Sequence, residues 1–537
     1  MKQLLLGDEA IARGAIDAGL SGVYAYPGTP STEITEYVQQ YEDKRIKAGK
    51  AGEAIFCRWA CNEKTAMEAA LGMSYMGKRA LVCMKHVGMN VCADAFMNAA
   101  ITGVNGGLVV VAADDPSMHS SQNEQDSRFY AKFAMIPCFE PSNQQEAYDY
   151  ISDAFALSEQ LQTPILFRIT TRMAHSRAVV TTKDTPQKQN SLSFPKDVKH
   201  FILLPAYAKK NYAELVDKQS IFLNHSEQDG RNIYCKTPNA TIAVITTGIA
   251  YNYLMENADF IKDKSILKIV QYPLPINMIS QLAKDGIKEV LVIEEGQPLI
   301  EEMLPAILPD SIRIHGRLDG HLPRVGELSP TCIKTALGAA KEETHKEESI
   351  VVSRPPALCQ GCGHRDLYAS LNEVAKEYTN ARIFGDIGCY TLGALSPFYA
   401  LHSTVEMGAS ITMAKGASDA GHHPSFAVIG DSTFTHSGIT GLLDCVNSNA
   451  NVVVIISDNL TTGMTGGQDS AGTGRLEQIC YGVGVPQEHV RVVVPLPKNM
   501  DEIKQVMREE ANYKGTSVII SRRECIQTLK RHLKANK

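Results

Sequence analysis

Short β-branched, apolar runs recur along the chain, most of them followed by a glycine and then by a stretch with helical periodicity. The runs are apolar throughout instead of alternating with polar positions, which is typical of central strands in parallel sheets covered by helices on both faces. We therefore predict an α/β fold with several doubly wound parallel sheets. The predicted strands lie in GVYAYPG, ALVCMKHVG, GLVVVAADD, PILFRIT, ATIAVITTG, ILKIVQYPL, VLVIEEG, ARIFGDIG, FAVIGD, NVVVIISDN and SVIISRRE.

Two polar stretches interrupt this alternation and predict domain boundaries. Residues 181–200 are polar and broken by proline, and residues 341–350 form a charged run that is typical of a solvated linker. The segment NYAELVDKQSIFLNH between them is predicted to be helical. We predict three sheet domains and one connecting segment, at residues 1–185, 186–234 (the connection), 235–345 and 350–537.

Composition narrows the class of protein. The 537 residues are 44% hydrophobic and 21% charged, as in ordinary globular proteins, and the net charge of −6 argues against a nucleic-acid-binding protein. No apolar run reaches the roughly 18 residues of a membrane span, and the first residues lack a signal-peptide pattern, so we expect a cytoplasmic protein without membrane association. Most of the 13 cysteines are expected to be reduced core residues.

Polar side chains follow two predicted strands of the last domain. Asp431 comes directly after FAVIG, and Asn459 follows NVVVIISD. Ligands of open parallel sheets bind beyond the carboxyl ends of the strands, so both side chains can line one crevice. Carboxylate and amide oxygens suit Mg²⁺, while Ser432, Thr433 and the helix start near Gly438 can donate hydrogen bonds to an anion. The residues alone leave open two polar strand ends without a metal.

Four cysteines occupy predicted loops near glycine. Cys359 and Cys362 form a C-x-x-C pair in PPALCQGCGHR, Cys389 follows one predicted strand, and Cys525 follows the last one. Loop thiolates can hold zinc or an iron–sulfur cluster, and a C-x-x-C pair can also be a redox pair or inert. Spacing alone does not choose among these, and Cys480 is the strongest competing position.

Several motifs resemble those of the 2-oxoacid:ferredoxin oxidoreductases, over nearly the whole chain. The stretch from GDSTFT to ISDN resembles the thiamine-diphosphate-binding motif, and YPGTPSTEI, CQGCGH, DIGCYTLG and MTGGQ are similar to segments of that family. LLLGDEAIARGAIDAGLSGVYAYPGTP, ADDPSMHSSQNEQDSR and GDSTFTHSGITGL narrow the resemblance to the α subunits of indolepyruvate ferredoxin oxidoreductase. The resemblance implies a multi-domain thiamine-diphosphate-binding fold, with pyrimidine-type, transketolase-C-terminal-like and diphosphate-type domains.

The resemblance implies thiamine diphosphate and Mg²⁺ as cofactors. Serine stands at 432 where the motif has glycine, and aspartate stands at 458 where it has asparagine, and neither change removes an expected ligand. The implied Mg²⁺ ligands are the side chains of Asp431 and Asn459 and the backbone carbonyl of Thr461. Further implied cofactor contacts are Gly430, Ser432, Thr433 and Met464.

In this cofactor class a glutamate contacts the pyrimidine ring and promotes loss of the thiazolium C2 proton. The resemblance assigns that catalytic role to Glu63 in RWACNEKTAMEAALG. A glutamate in the first turn of a helix is also favoured by the helix dipole alone, so a purely structural role is the alternative. Glu68 is predicted to be a surface helix residue.

Substrate contacts are implied for two residues. Thr29 in YPGTP matches a family residue that contacts the 2-oxo acid, and Arg128 resembles the arginine that meets the substrate carboxylate. A structural ion pair is the alternative for Arg128. For His86 and His364, loop histidines near the expected cleft, a structural role is the favoured interpretation.

The family pattern also implies that Cys359, Cys362, Cys389 and Cys525 hold one 4Fe–4S cluster. The expected reaction is oxidative decarboxylation of arylpyruvates such as indolepyruvate with coenzyme A. Expected partners are a small β subunit in an α2β2 assembly and ferredoxin or a similar electron carrier. Family members continue into a ferredoxin-like tail, whereas this sequence stops at Lys537, so we expect the tail's clusters to be missing. The alternatives are a non-oxidative thiamine-dependent decarboxylase and a non-catalytic scaffold.

Overall fold

The apolar runs form parallel sheets, which confirms the predicted α/β class. The structure is a computed structural model that describes residues 1–49, 53–340, 350–352 and 354–535. Two units are present, Met1–His345 and Lys346–Lys537. The predicted linker at 341–350 lies, apart from Ile350, outside the described residues.

The first unit contains a seven-stranded sheet, a five-stranded sheet and a two-stranded antiparallel ribbon. Its strands are β1 (Lys2–Leu6), β2 (Gly22–Ala25), β3 (Phe56–Trp59), β4 (Ala80–Lys85), β5 (Leu108–Asp114), β6 (Cys138–Phe139), β7 (Ile165–Thr170), β8 (Arg177–Thr181), β9 (Ile233–Cys235), β10 (Ile242–Thr247), β11 (Ser265–Ile269), β12 (Gln271–Tyr272), β13 (Glu289–Ile293) and β14 (Arg313–His315).

The strand order of the first unit places its fully buried strands in the middle of the larger sheet. The larger sheet runs β12-β6-β7-β5-β4-β2-β3 and the smaller one β14-β13-β10-β11-β9, with β1 paired to β8. Every residue of β5 and β7 is buried, as expected for central strands with helices on both faces. Strand β12 lies in the predicted middle domain yet pairs with β6 in the larger sheet. The three-domain division stays a prediction.

Helices of the first unit cover both faces of its sheets. The predicted helix in the connecting segment is confirmed as two consecutive helices, α8 and α9. The helices are α1 (Gly7–Asp17), α2 (Thr32–Lys47), α3 (Glu63–Tyr75), α4 (His86–Thr102), α5 (Arg128–Ala134), α6 (Gln144–Leu161), α7 (Thr171–His175), α8 (Pro205–Asp217), α9 (Gln219–Gln228), α10 (Ile249–Met255), α11 (Ile276–Lys284), α12 (Leu299–Met303) and α13 (Pro330–Ala336). Short 3₁₀ turns occupy Pro116–Met118, Lys199–Phe201, Ala258–Phe260 and Leu304–Ala306.

The second unit is one parallel sheet of six strands with a small hairpin. Its strands are β15 (Arg382–Gly385), β16 (Ser403–Thr404), β17 (Ser425–Gly430), β18 (Val452–Asp458), β19 (Thr461–Thr462), β20 (Gln468–Asp469), β21 (Val490–Val493) and β22 (Thr516–Arg522). The helices are α14 (Gly363–Ala375), α15 (Ala409–Asp419), α16 (Asp431–Thr433), α17 (Ile439–Asn447), α18 (Leu476–Gly482), α19 (Met500–Asn512) and α20 (Ile526–Ala535), with a π-helical turn at Phe434–Gly438 and 3₁₀ turns at Cys389–Ala394, Gln487–His489 and Pro497–Asn499.

Alternate residues of the six-stranded sheet supply two separate cores. Strand order is β16-β15-β17-β18-β22-β21. Phe426 and Val428 pack in one apolar cluster, whereas Ala427 and Ile429 pack in another, because successive strand side chains point to opposite faces. Both faces are therefore buried, and the strand ends are left for polar chemistry. Across the described residues of both units, no helix combines the length and apolar character needed to cross a membrane.

Candidate functional site

Four adjacent strands of the second unit end at one edge of its sheet. Gly430 of β17 lies level with Ser457 of β18, and Ser457 lies level with Ser521 of β22. Strand β15 pairs with the other side of β17. The residues that follow these four strand ends are Asp386, Asp431, Asn459 and Cys525. The parallel register therefore gathers positions nearly 140 residues apart in sequence, roughly as the carboxyl-end rule predicts.

Burial makes ionisation of Asp431 costly at this edge. Its side chain is 1% exposed, and its Oδ2 finds no hydrogen-bond partner within the described part of the chain. Burial, together with the nearby charge of Asp458, raises the pKa of Asp431 to about 7, while the Ser470 hydroxyl and the Asn459 amide oppose the rise. A buried carboxylate oxygen without a donor is costly unless a cation pairs with it. The residues present therefore fit a divalent metal.

The loop after β18 holds Asn459 beside Asp431. The Asn459 Oδ1 accepts a hydrogen bond from the Thr461 amide at 3.2 Å, and Leu460 between them has a positive φ of 62°. The Thr461 hydroxyl donates to the Gln468 carbonyl at 2.9 Å, which closes the β19–β20 hairpin. Met464, at the tip of this hairpin, is 57% exposed. Asn459 and Thr461, two of the three predicted metal-ligand residues, thus share one short loop beside the third, Asp431.

Asp458 has a structural partner. Its Oδ2 accepts from Arg522 Nε at 2.6 Å, and the same guanidinium donates to both carboxylate oxygens of Glu477. This bidentate geometry fixes the end of β18 against β22 and α18. Asp458 is therefore committed to an ion pair, which agrees with its omission from the predicted ligand set.

The helix after β17 presents its first residues at the same edge. Ser432 accepts from the Thr462 hydroxyl at 3.1 Å, and Thr433 donates to the Ile387 carbonyl at 3.2 Å. A Cβ on Gly430 would lie 2.6 Å from the ring of Tyr390, so only glycine fits there. The π-helical turn that follows widens the helix beside these residues.

Asp386, a buried acid at the end of β15, is an additional residue of this edge that the sequence did not single out. Asp386 contacts the hydroxyl of Tyr390, and it accepts from Ser410 Oγ at 2.6 Å and from the Gly408 amide at 3.2 Å. Burial raises the pKa of Asp386 to about 7. The available signal was its position directly after β15, at the start of the DIGCYTLG motif, in which the sequence assigns a metal-ligand role to Cys389 alone.

All four predicted cluster cysteines line one cavity of about 110 Å³ at this edge. Burial and the other three thiols raise the pKa of Cys389 to about 12, with a further contribution from Asp431. Asn459 lines the same cavity, and its carbonyl accepts from the Cys525 amide at 3.0 Å. The cysteine cavity therefore adjoins the Asp431 crevice within one unit.

Thiol spacing distinguishes the candidate metals. Around one tetrahedral zinc, sulfurs at about 2.3 Å from the metal lie roughly 3.8 Å apart. Among the described residues only two trios bring three ligand atoms within 4.8 Å of one another, and neither contains a cysteine. No three of these four described thiols lie that close together, a spread that suits a larger, multi-metal group better than a single zinc ion. Cys480, the competing position, is buried in α18 and does not line the cavity.

His364 is a buried neighbour of this cavity. Its Nδ1 lies 2.6 Å from the Ser457 hydroxyl, and burial lowers its pKa to about 4. The ring is therefore neutral at physiological pH, in agreement with the structural interpretation.

In the first unit, Glu63 begins α3 and is buried. Asn62 caps the helix, because its side chain accepts from the Thr65 amide at 2.9 Å. A Cβ on Gly88, in the first turn of α4, would lie 2.7 Å from Glu63 Cγ. The missing side chain at Gly88 makes the space that Glu63 occupies. Its neighbour Glu68 is exposed and pairs with Lys64, as predicted.

Thr29 and His86 follow neighbouring strands, β2 and β4. Thr29 is half-buried, and its carbonyl accepts from Ser120 Oγ at 3.5 Å. His86 is buried, with Nε2 3.1 Å from the Asn123 carbonyl. In the residues that the structure describes, its Nδ1 has no hydrogen-bond partner.

Arg128 lies inside a buried network of acids. The side chain is 1% exposed and its guanidinium pairs with Asp126 and, at 2.8 Å, with Glu294. It also donates to the Tyr272 hydroxyl and to the Gln297 carbonyl. This geometry supports the ion-pair alternative, and the substrate role of Arg128 stays a prediction.

Comparison with known proteins defines the class. The family model described as pyruvate flavodoxin/ferredoxin oxidoreductase, thiamine diphosphate-binding, matches residues 13–230. The model described as thiamine pyrophosphate enzyme, C-terminal TPP binding domain, matches residues 386–521. A solved 2-oxoglutarate:ferredoxin oxidoreductase from Magnetococcus marinus shares the fold, with a TM-score of 0.51 and 15% identity over 62% of this chain and 64% of that one. The class is that of thiamine-diphosphate-dependent 2-oxoacid:ferredoxin oxidoreductases.

Curated relatives narrow the class to one subunit. Indolepyruvate oxidoreductase subunit IorA of Archaeoglobus fulgidus is 38% identical over 98% of this chain and 86% of its own length. The IorA subunits of Methanothermobacter thermautotrophicus and Pyrococcus horikoshii are 36% and 35% identical, over 87% and 86% of their lengths. The chain belongs to the IorA family of indolepyruvate oxidoreductase subunits, which confirms the resemblance inferred from its motifs.

We predict that Asp431→Asn stabilises the metal-free protein at pH 8. Because the folded-state pKa of Asp431 is raised above its unfolded value, the wild-type protein loses stability as pH rises from about 4 to about 7. The variant avoids this loss, by roughly 2–4 kcal/mol at pH 8 and by little near pH 4. Denaturant unfolding at the two pH values measures the difference. Equal midpoints at pH 8 would contradict the assignment of an uncompensated buried charge.

Proposed function

We propose that this chain catalyses oxidative decarboxylation of 2-oxo acids, forming an acyl-CoA and CO₂ and passing electrons through a 4Fe–4S cluster to ferredoxin. One observation carries the proposal: Asn459 adjoins both the Asp431 carboxylate, whose Oδ2 has no hydrogen-bond partner among the described residues, and the cavity lined by the four cysteines. A cofactor site and an electron acceptor at one sheet edge suit a decarboxylation that is coupled to oxidation.

The cofactor half of the proposal rests on Asp431. Its side chain, the Asn459 amide oxygen and the Thr461 carbonyl would hold Mg²⁺, whose hard-ion chemistry matches three oxygen donors. Ser432 and Thr433 would donate to the diphosphate from the start of α16, with Gly430 and Met464 as further contacts. When bound, thiamine diphosphate supplies the carbanion chemistry that allows a 2-oxo acid to lose CO₂. The chain's own residues would hold the group at the sheet edge.

Glu63 would act as the acid that activates this cofactor. Its burial at the start of α3, in the space left by Gly88, holds the carboxylate in one place. A fixed, buried carboxylate can hold and return a proton at one atom of a bound ring. A glutamate that served only the helix dipole could stay exposed in the first turn, so the burial of Glu63 favours the catalytic role.

The cluster half of the proposal rests on Cys359, Cys362, Cys389 and Cys525. Their sulfurs surround a cavity beside Asn459, and their spread suits a multi-metal group better than one zinc ion. Thiolates at such spacing suit an iron–sulfur cluster. A cluster at this position would take electrons directly from the neighbouring cofactor site, which a non-oxidative decarboxylase does not need.

The substrate and partners follow the relatives' names. Those relatives are indolepyruvate oxidoreductases, so we propose arylpyruvates such as indolepyruvate as substrates, with coenzyme A as cosubstrate. Thr29 would contact the 2-oxo acid. A small β subunit would complete an α2β2 assembly, and ferredoxin or a similar carrier would accept the electrons.

Glu63→Gln should reduce 2-oxo acid-dependent viologen reduction by about 10²–10⁴-fold, because an amide cannot exchange the proton. Anaerobic assays with saturating thiamine diphosphate measure the loss. Glu68→Gln, on the same helix but exposed, is the matched control and should keep activity within about twofold. Full activity in Glu63→Gln would remove Glu63 from the mechanism and favour a structural acidic residue.

Cys389→Ala should abolish the cluster, whereas Cys480→Ala should keep it, because Cys389 lines the cavity and Cys480 does not. Iron and acid-labile sulfide are measured on anaerobically purified protein, together with acyl-CoA and aldehyde release from the 2-oxo acid. The proposal expects iron and sulfide in the wild type and near-total loss in Cys389→Ala. Iron-free wild-type protein that releases aldehyde would support the non-oxidative decarboxylase instead.

A further inference from the structure

Three ligand side chains meet in the first unit, outside the proposed catalytic residues. Asp8 belongs to α1, Glu33 to α2 and His175 to α7. One ligand atom from each lies within 4.8 Å of the others. We propose that Asp8, Glu33 and His175 bind one divalent transition-metal cation, with zinc as the best match. This site is independent of the proposed enzymatic function.

The burial of the Asp8 carboxylate is the observation that points to a bound cation. Its side chain is 0% exposed, and neither carboxylate oxygen has a hydrogen-bond partner among the residues described. Burial and the negative charges of Glu33 and Glu9 raise its pKa, and a contact with the Glu33 carboxyl raises it further, so Asp8 meets like charge in this pair unless a proton or a cation lies between the two acids. A fully buried carboxylate facing a second carboxylate is costly without a proton or a metal between them.

Close packing of the helix backbones brings the three side chains together. A Cβ at Gly7 would lie 2.1 Å from the Met173 carbonyl, so the start of α1 lies directly against α7. Glu9 is occupied elsewhere, because its Oε2 accepts from the Leu6 amide at 2.8 Å. Asp8 is the acid of this first helical turn that is left facing Glu33.

The open side of the cluster suits metal entry. Glu33 Oε2 and His175 Nε2 lie 3.5 Å apart, and both side chains are about one-third exposed. Asp8 thus forms the buried floor, while Glu33 and His175 form a rim that water can reach. A metal bound there would complete its coordination with water, as three-ligand zinc sites do.

The donor set selects the type of cation. Two carboxylates and one imidazole suit Zn²⁺ and its first-row neighbours, whereas Mg²⁺ and Ca²⁺ prefer oxygen ligands alone. The bound ion would tie α1 and α7 to the first turn of α2, directly after the loop that carries Thr29. Its effect would therefore be structural, on the position of that loop.

A second trio requires a control. Asp319 Oδ2 accepts from His315 Nδ1 at 2.6 Å and lies 2.8 Å from His321 Nδ1, and Asp319 Oδ1 accepts from the Gly316 amide. These hydrogen bonds already satisfy the aspartate, so this trio does not demand a metal. Its histidines can nevertheless bind added zinc weakly and must be removed from the measurement.

The test is a zinc chloride titration of the anaerobically prepared full chain with its cysteine sites loaded, in an H315Q/H321Q background. Calorimetry and metal analysis count bound zinc, and thermal unfolding reports stability. The proposal expects one zinc per chain and a rise in Tm on binding. Asp8→Asn should weaken zinc binding by more than about 10-fold, and Glu9→Gln, the neighbouring acid, should keep it.

Asp8→Asn also separates a metal from a proton shared between Asp8 and Glu33. Without zinc, the variant should unfold at a higher temperature than the wild type, because it removes a buried charge. With zinc, only the protein with Asp8 should gain stability. Equal zinc binding by both proteins, or a wild type whose Tm does not respond to zinc, would overturn the proposal and assign the pair to a shared proton.

Discussion

Level strand ends in the parallel sheet of the second unit are the constraint on which the chemistry depends. Three hydrogen-bonded strands, β17, β18 and β22, end at Gly430, Asp458 and Arg522, and their register holds these ends within about one residue of one another. The proposed metal ligands Asp431 and Asn459 and the cysteine Cys525 come one to three residues after these ends. A slip of one strand would separate the Asp431 crevice from the cysteine cavity and turn buried side chains to the wrong face.

Gathering polar residues at these strand ends buries carboxylates, which lowers stability when they are ionised. Asp431 and Asp386 both lie where burial raises the pKa to about 7, and each depends on different compensation. Asp386 has it within the chain, from Tyr390, Ser410 and a backbone amide. Asp431 keeps one oxygen without a partner in the described residues, which is what a site adapted to bind a cation requires. The buried charge of Asp431 lowers stability above pH 7, and the proposed cation would restore it on binding.

The sequence predicted those features that rest on local pattern. Apolar runs located the central strands, and residues at strand ends located Asp431, Asn459 and the four cysteines. Contacts between residues that are distant in the sequence could not be predicted from it. The network around Arg128 joins residues from 126 to 297, and only the folded chain brings Glu294 next to a guanidinium that the motif suggested for substrate. Asp8 likewise looks in the sequence like an ordinary acid of a first helical turn. Only the folded chain places Glu33 of α2 and His175 of α7 beside it.

The central claim is that substrate oxidation and the cysteine cavity are coupled at this one sheet edge. The direct measurement is an anaerobic stopped-flow experiment on the chain with its small partner subunit, thiamine diphosphate, Mg²⁺ and coenzyme A, without an external electron acceptor. Mixing with indolepyruvate should bleach the visible absorbance of an iron–sulfur cluster within a single turnover and release CO₂. Release of CO₂ and aldehyde with the absorbance unchanged, or a protein with no such absorbance, would contradict the account.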